Sequence, residues 1–309
     1  ELPTARRACV PDAPLLGLRN LISGRFSLME GKHKQSPSAS PETELLCAEG
    51  RPDIGKVWQN VLHEAERIAA SEHRLVSLTE DVFLSRASFH EAISARLARK
   101  LAREDMTRNE LFPLLEEVLA AHPELALSMV SDMMAIKDRD PACTSMIQPL
   151  LFYKGFLAIS TYRLSHQLWK NSRCDLALYF QSLSSEVFGV DIHPAAHLGC
   201  GIFLDHATSV VMGETTIVED NVSILHEVTL GGTGKESGDR HPIVRSGVLI
   251  GAGAKILGRV EIGKGAKIGA GSVVLNDVAP HKTVAGVPAV VVGESTSENP
   301  AQAMDQSLI

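Results

Sequence analysis

The sequence has no apolar run approaching the ~18 residues that cross a bilayer, no basic stripe, and no CxxC pair. Each absence removes a class. No membrane-spanning helix is expected, and a net charge of −7 argues against a nucleic-acid or anionic-membrane partner. The five cysteines, Cys9, Cys47, Cys143, Cys174 and Cys200, are odd in number and widely spaced, which suggests neither a disulfide framework nor a zinc ribbon. A reducing cytoplasmic compartment is expected, with no metal site. The GGTGK stretch at 231–235 lacks what a Walker loop needs: Glu236 follows Lys235, and Thr229 stands where the first glycine belongs.

What is present is a count in sixes. From 250 to 274 the chain reads IGAGAKILGRVEIGKGAKIGAGSVV, with aliphatic side chains at Ile250, Ile256, Ile262, Ile268 and Val274. A helix repeats every ~3.6 residues and a strand every ~2, so a strict six implies stacked short strands. Extended backwards, the frame takes in Ile192, Leu198, Leu204, Val210, Thr216, Val222 and Val228. It breaks over a ten-residue polar insertion from Gly234 to Ile243 and resumes at Val244. Thr216 alone is polar among these thirteen positions. Three six-residue sides make an 18-residue triangular coil, and coils stack at the interstrand spacing of about 4.8 Å. The expectation is a parallel β-helix over 189–293.

Upstream the period changes. Ile54, Val57, Trp58, Val61, Leu62, Ala65, Ile68 and Ala69 share one face of a helix, and Ser88-Phe89-His90-Glu91 has capping-box spacing ahead of a second. Further helices are expected at about 108–121, 123–137, 146–171 and 173–187, giving a helical domain over 54–188. Residues 1–53 read as a disordered extension, with an organelle transit remnant as the alternative for 1–50. The polar stretch 294–309 reads as a flexible tail.

Chemistry is sought where polar clusters interrupt the repeat. His206 and Asp191 form a candidate general-base pair, since a carboxylate fixes the tautomer of a histidine and stabilises its imidazolium. They lie fifteen residues apart, three short of an 18-residue coil, so adjacent coils are expected to bring them together. A purely structural histidine is the plain alternative. Arg240-His241 has the paired donors that bind a carboxylate, against the alternative of a solvated loop. Cys200 is a weaker candidate nucleophile whose position favours packing.

The segments DIHPAAHLGCGIFLDHAT, VSILHEVTLGGTGKESGDRHP and GVLIGAGAKILG, with DRDPAC at 138–143 and LLFYKGFLAISTYRLSHQLW at 150–169, closely resemble serine O-acetyltransferase, a hexapeptide-repeat acyltransferase. The resemblance covers about 54–293. It implies an N-terminal all-α domain followed by a left-handed β-helix, assembled as a homotrimer or dimer of trimers with active sites shared between neighbouring prisms. It implies that acetyl-CoA is a co-substrate, with no permanently bound cofactor, and that L-serine is acetylated directly in a ternary complex for cysteine biosynthesis. His206 would be the base and Asp191 its orienter. Asp140 and Asp205 would hold the serine ammonium, Arg240 and His241 its carboxylate, and Gly232 and Thr233 would line the reacting centre. CoA would run along Thr233, Ala252, Lys267 and Ala270. L-cysteine would inhibit, and Ile309 would enter the active site of O-acetylserine sulfhydrylase (cysteine synthase). Ser209, Glu227 and Val290 depart from the family pattern, the last where an arginine is usual. Rival readings are a γ-type carbonic anhydrase with zinc ligands among His193, His197, His206 and His226, a non-catalytic scaffold, and an acyltransferase for a sugar or antibiotic hydroxyl.

Overall fold

Helix begins where the apolar periodicity places it. Asp53 caps α1 (Ile54–Ser71) by accepting from the Lys56 amide at 3.1 Å, and Val57, Trp58, Val61 and Ala65 are buried along one face. The structure, a computed structural model, describes residues 52–234, 237–295 and 297–308. The expected extension, apart from its last two residues, and the terminal Ile309 lie outside the described residues. A 3₁₀ turn (His73–Leu75), the short α2 (Val76–Thr79) and a π turn (Glu80–Leu84) follow, none of them anticipated from the sequence. α3 (Phe89–Leu101) is capped by Ser88, whose hydroxyl accepts from the Glu91 amide. The return contact is displaced by one residue, because Glu91 accepts from the amide of Ala87. α4 (Arg108–Ala121) carries a full capping box from Thr107 and Glu110.

The remaining helices are α5 (Glu124–Arg139), α6 (Ile147–Phe152), α7 (Lys154–Lys170) and α8 (Cys174–Phe188). The single helix expected over 146–171 is thus two, because Tyr153 adopts an extended conformation between them (φ −90°, ψ 105°). This break lets the first turn of α7 press onto the β-helix. A Cβ on Gly155 would overlap the Leu204 carbonyl oxygen and come within 3.1 Å of the Ala207 methyl. Gly155→Ala is therefore expected to cost about 1–3 kcal/mol of stability by overpacking, read as a lower urea midpoint. An unchanged midpoint would show that α7 can slide. Among the described residues, no helix is long and apolar enough to cross a membrane.

α8 ends on Gly189, whose left-handed φ of 67° turns the chain directly into the first strand. The strands are β1 (Val190–Ile192), β2 (His197–Leu198), β3 (Phe203–Leu204), β4 (Val210–Met212), β5 (Ile217–Val218), β6 (Ser223–Ile224), β7 (Thr229–Gly231), β8 (Ile243–Val244), β9 (Leu249–Ile250), β10 (Lys255–Leu257), β11 (Glu261–Ile262), β12 (Lys267–Ile268), β13 (Val273–Val274), β14 (Lys282–Gly286) and β15 (Ala289–Glu294). Through β13, every third strand joins the same parallel sheet. β1-β4-β7-β10-β13 form the first face, β2-β5-β8-β11 the second and β3-β6-β9-β12-β14-β15 the third, with β15 antiparallel at the end. This is the left-handed β-helix, and its aliphatic interior is one continuous core with the helices.

The six-residue frame holds, with one correction. Val190 pairs with Val210, twenty residues on, whereas Val211 pairs with Thr229, eighteen on. Two extra residues therefore sit in the corner between β3 and β4. The inward column runs through Met212, Val218, Ile224 and Leu230, two residues beyond the expected Val210, Thr216, Val222 and Val228. Those four are buried as well, because each side of the coil turns a second, smaller residue inward. Thr216 is polar for that reason, and its buried hydroxyl has no partner among the described residues. The second irregularity lies between β7 and β8, where Ile217 pairs with Ile243, twenty-six residues on. It is eight residues longer than a regular coil, rather than ten.

The described part of the tail makes contacts that the sequence did not signal. α9 (Pro300–Ala303) packs against the prism, with the Ala301 amide donating to Gly247 O and the Ala301 carbonyl accepting from Ser223 Oγ at 2.8 Å. Beyond it, Lys267 Nζ donates to the carbonyls of Asp305 and Ser307, and Leu308 lies over Gly269.

Candidate active site

The two extra residues fall in the sequence Asp205-His206-Ala207-Thr208-Ser209. His206, Ala207 and Ser209 all take positive φ, at 55°, 57° and 59°. Non-glycine residues adopt this region at a cost of about 1–3 kcal/mol each, so the corner is a strained element held by its surroundings. Tight hydrogen bonds from Ala207 N to Asp205 O and from Thr208 N to His206 O close it. The result carries His206 outward: its side chain is 75% exposed, with Nε2 3.8 Å from Asp205 Oδ1. The His226 ring, one coil along, meets it edge-on at 5.8 Å between centroids.

Beside His206 lies a cavity of about 740 Å³, lined by Asp140, Tyr153, Lys154, Asp205 and His206 together with Met304 and Gln306 of the tail. The structure thus brings Asp140 together with Asp205 and His206 from two distant parts of the chain. Burial, reinforced by the nearby Asp140 charge and opposed by His206, holds the Asp205 carboxyl above its usual range. Burial also pushes the Tyr153 hydroxyl well above its usual range, with Asp140 adding to the effect. Tyr153 and Lys154 were not singled out from sequence. Their signal was the glycine at 155, which marks a close backbone approach. Lys154 Nζ reaches Thr208 Oγ1 at 2.5 Å, bracing the strained corner.

Asp191 does not join this group within the chain. The argument from an 18-residue coil fails because the first coil has twenty residues and stacks Asp191 on Val211. Its Oδ1 instead accepts from Gln181 Nε2 at 2.6 Å.

Below the corner, successive coils repeat the same turn. Glu227 N donates to Thr208 O, Gly253 N to His226 O and Gly271 N to Ala252 O, so Thr208, His226, Ala252 and Ala270 form one column. Ser209 and Glu227, the departures noted above, hold the left-handed positions that Gly253 and Gly271 occupy further along. Two alanines leave a shallow strip running from the histidines. Lys267, expected to face a ligand along it, is instead buried and engaged by the tail. Val290, on β15, is exposed and offers no cation.

Arg240 and His241 occupy a different corner, between the first and second faces. Arg240 Nη2 lies 2.8 Å from Glu214 Oε2, while Gly232 borders its aliphatic stem. His241 is buried against Gly213, and burial, with Arg240 next in effect, lowers its pKa. Thr233 lies beside Gly258 on this side too. Strand β4 separates the two clusters, and from Thr208 to Glu214 the extended chain spans on the order of 20 Å. His193 belongs to the second corner, His197 opens β2 on the second face, and His206 and His226 belong to the first corner; among the described residues no group of three potential ligands converges on a metal position. Cys200 is buried and lines neither cluster.

A family profile described as "Serine acetyltransferase, N-terminal" matches residues 57–161, and one described as "Bacterial transferase hexapeptide (six repeats)" matches 241–276. A serine acetyltransferase of Salmonella typhimurium is 52% identical over 250 residues, covering 81% of this chain and 92% of its own. A solved serine acetyltransferase in complex with cysteine superimposes with a TM-score of 0.80 at 50% identity, covering 82% of this chain and 99% of that one. The enzyme of Brucella abortus in complex with coenzyme A gives a TM-score of 0.76 at 50% identity, covering 78% and 96%.

Proposed function

The chain belongs to the serine acetyltransferase family and transfers the acetyl group of acetyl-CoA to the hydroxyl of L-serine, and we propose that two neighbouring prisms divide the work. The observation that carries this division is the separation of the two clusters across the first face. No single L-serine can reach from the His206 corner to Arg240, whereas the second corner of one prism and the first corner of another complete a site. A homotrimer, alone or paired into a dimer of trimers, is the assembly that closes such an arrangement.

Within that site His206 takes the proton from the serine hydroxyl as its oxygen attacks the thioester carbonyl, and returns a proton to the departing CoA thiolate. The strained corner supports this role by presenting the imidazole clear of the prism. Asp140 and Asp205 receive the serine ammonium, and Arg240 and His241 of the neighbouring chain take its carboxylate, with Gly232 and Thr233 leaving room for the reacting centre. Asp191 orients the histidine side of the site from the first face, itself held by Gln181. The pantetheine arm follows Ala252 and Ala270, and it reaches Lys267 once the tail has moved aside. Acetyl-CoA enters as a substrate and leaves as CoA.

Arg240→Ala is expected to raise the serine KM by about 10-fold to 100-fold, the equivalent of a charged hydrogen bond worth about 1.5–3 kcal/mol, while the KM for acetyl-CoA stays put. Chains carrying His206→Ala and chains carrying Arg240→Ala, co-expressed, should regain activity at low serine that neither has alone. No recovery would overturn the shared site.

L-Cysteine, one atom different from L-serine, occupies the same pocket as an inhibitor. Action in the cytoplasm is part of the same proposal, with an organelle addressed by residues 1–50 as the alternative. The tail end serves as an anchor for the pyridoxal-phosphate enzyme O-acetylserine sulfhydrylase, with the apolar side chain of Ile309 filling that enzyme's amino-acid pocket. Removing Ile309 should abolish that complex and leave serine acetylation intact. Unchanged affinity would assign the contact to another surface.

A further inference from the structure

The second corner contains a residue that neither the family resemblance nor the comparisons single out. Thr215 lies between β4 and β5, one coil before Arg240 and His241. Its hydroxyl oxygen accepts the backbone N–H of Arg240 at 3.0 Å and of His241 at 3.1 Å. Its own backbone N–H points at His241 Nδ1, 3.1 Å away, and Oγ1 lies 2.9 Å from the same nitrogen.

These four contacts fix the protons. A backbone N–H can only donate, so Nδ1 of His241 is an acceptor and carries no hydrogen. A threonine hydroxyl has one hydrogen and two lone pairs. Both lone pairs are taken by the amides of Arg240 and His241, which leaves its hydrogen for Nδ1. The ring proton must then reside on Nε2, for which the described residues provide no partner.

Arg259 tightens the arrangement from the next coil, with Nη1 donating to Thr215 O at 2.9 Å and to His241 O at 3.0 Å. Glu214, adjacent to Thr215, holds the Arg240 guanidinium. Arg240, Glu214, His193 and Arg259 are the charged and titratable groups that face the His241 ring.

We propose that Thr215 is a positioning residue for L-serine: it locks His241 as the Nε2–H tautomer, a neutral donor, and fixes the backbone from which Arg240 reaches the substrate carboxylate. This rests on the carboxylate role given above to Arg240 and His241. It adds the reason why His241 donates rather than accepts. A ring with an acceptor at Nε2 would repel a carboxylate, so the tautomer separates binding from rejection.

The test uses the full-length protein with ¹⁵N-labelled histidine, the His241 signals being assigned by their loss in His241→Gln. Wild-type Nδ1 should show the shift of an unprotonated nitrogen and Nε2 that of a protonated one. In Thr215→Val, which keeps the shape and removes the hydroxyl, the two shifts should move toward each other. The serine KM should rise about tenfold, as for one lost hydrogen bond of the stronger kind, with little change in kcat. Thr215→Ser should restore both readouts.

A protonated Nδ1 in the wild type would overturn the proposal, and so would a Thr215→Val enzyme with unchanged shifts and unchanged serine KM. If Thr215→Val does not fold, the wild-type spectrum and Thr215→Ser still decide the tautomer. The expected tautomer together with an unaltered serine KM in Arg240→Ala would overturn the carboxylate reading of this corner instead, so the two failures are distinguishable.

Discussion

His206→Ala is expected to lower kcat by about 10²–10⁴, the usual worth of a positioned proton acceptor, with little change in the KM for acetyl-CoA. The expectation rests on where the fold places the ring. A regular coil would pass from β3 to β4 in six residues and leave this corner flush. Two additional residues, three of the five in left-handed conformation, lift His206 out to face Asp205 and Asp140. Such strain persists only when packing over-determines it, and Gly155, Lys154 and the edge-on His226 supply that packing. The check is a thioester-cleavage assay at saturating serine. A near-normal kcat would remove His206 from the chemistry. Asp191→Asn, which disturbs orientation without removing the acceptor, should cost less.

The largest stability loss is expected from Asp132→Ala, at about 3–5 kcal/mol. Asp132, on α5, is fully buried, with its two carboxylate oxygens receiving Nε and Nη2 of Arg163 at 2.7 Å and 2.9 Å. Oδ1 also accepts the Ile202 amide, and Arg163 Nη2 donates to the Gly199 carbonyl at 2.7 Å. Removing the carboxylate leaves a guanidinium in the interior with one carbonyl for company, and an amide in the first coil without an acceptor. Urea denaturation would show the loss as a lowered midpoint. A change under about 1 kcal/mol would mean that water enters to satisfy both groups.

How much of this was legible in the sequence depends on which residues carry the signal. The repeat was plain because Ile250, Ile256, Ile262, Ile268 and Val274 report a single inward position without interruption. The slip at the His206 corner was hidden for a physical reason. Each side of the coil has a second inward position two residues before the first, and here Val210, Val222 and Val228 fill it with residues as aliphatic as those of the main column. Thr216 was the one visible symptom. The site was half legible: Asp140, Asp205, His206, Arg240 and His241 could be named from the resemblance. No spacing rule, however, could show that they divide between two corners, since this follows from the width of a face. Tyr153 and Lys154 were concealed inside a continuous apolar pattern whose break depends on a tertiary contact at Gly155. The tail's contacts were not legible because its polar composition says nothing of the backbone carbonyls it offers to a buried lysine.

The excursion between β7 and β8 leaves the ladder undisturbed. Before it Gly213 N donates to Leu230 O, and after it Ile217 N donates to Pro242 O, both at 3.0 Å, as though the eight extra residues were absent. Sequence can accordingly be inserted, deleted or exchanged at the tip of this excursion without moving any rung, while Arg240 and His241 stay pinned at its base. Natural variation and laboratory recombination therefore have an adjustable segment next to Arg240, separable from the framework of stacked coils. Libraries confined to residues 234–239 should change which hydroxyl compound is admitted while leaving thermal stability nearly constant.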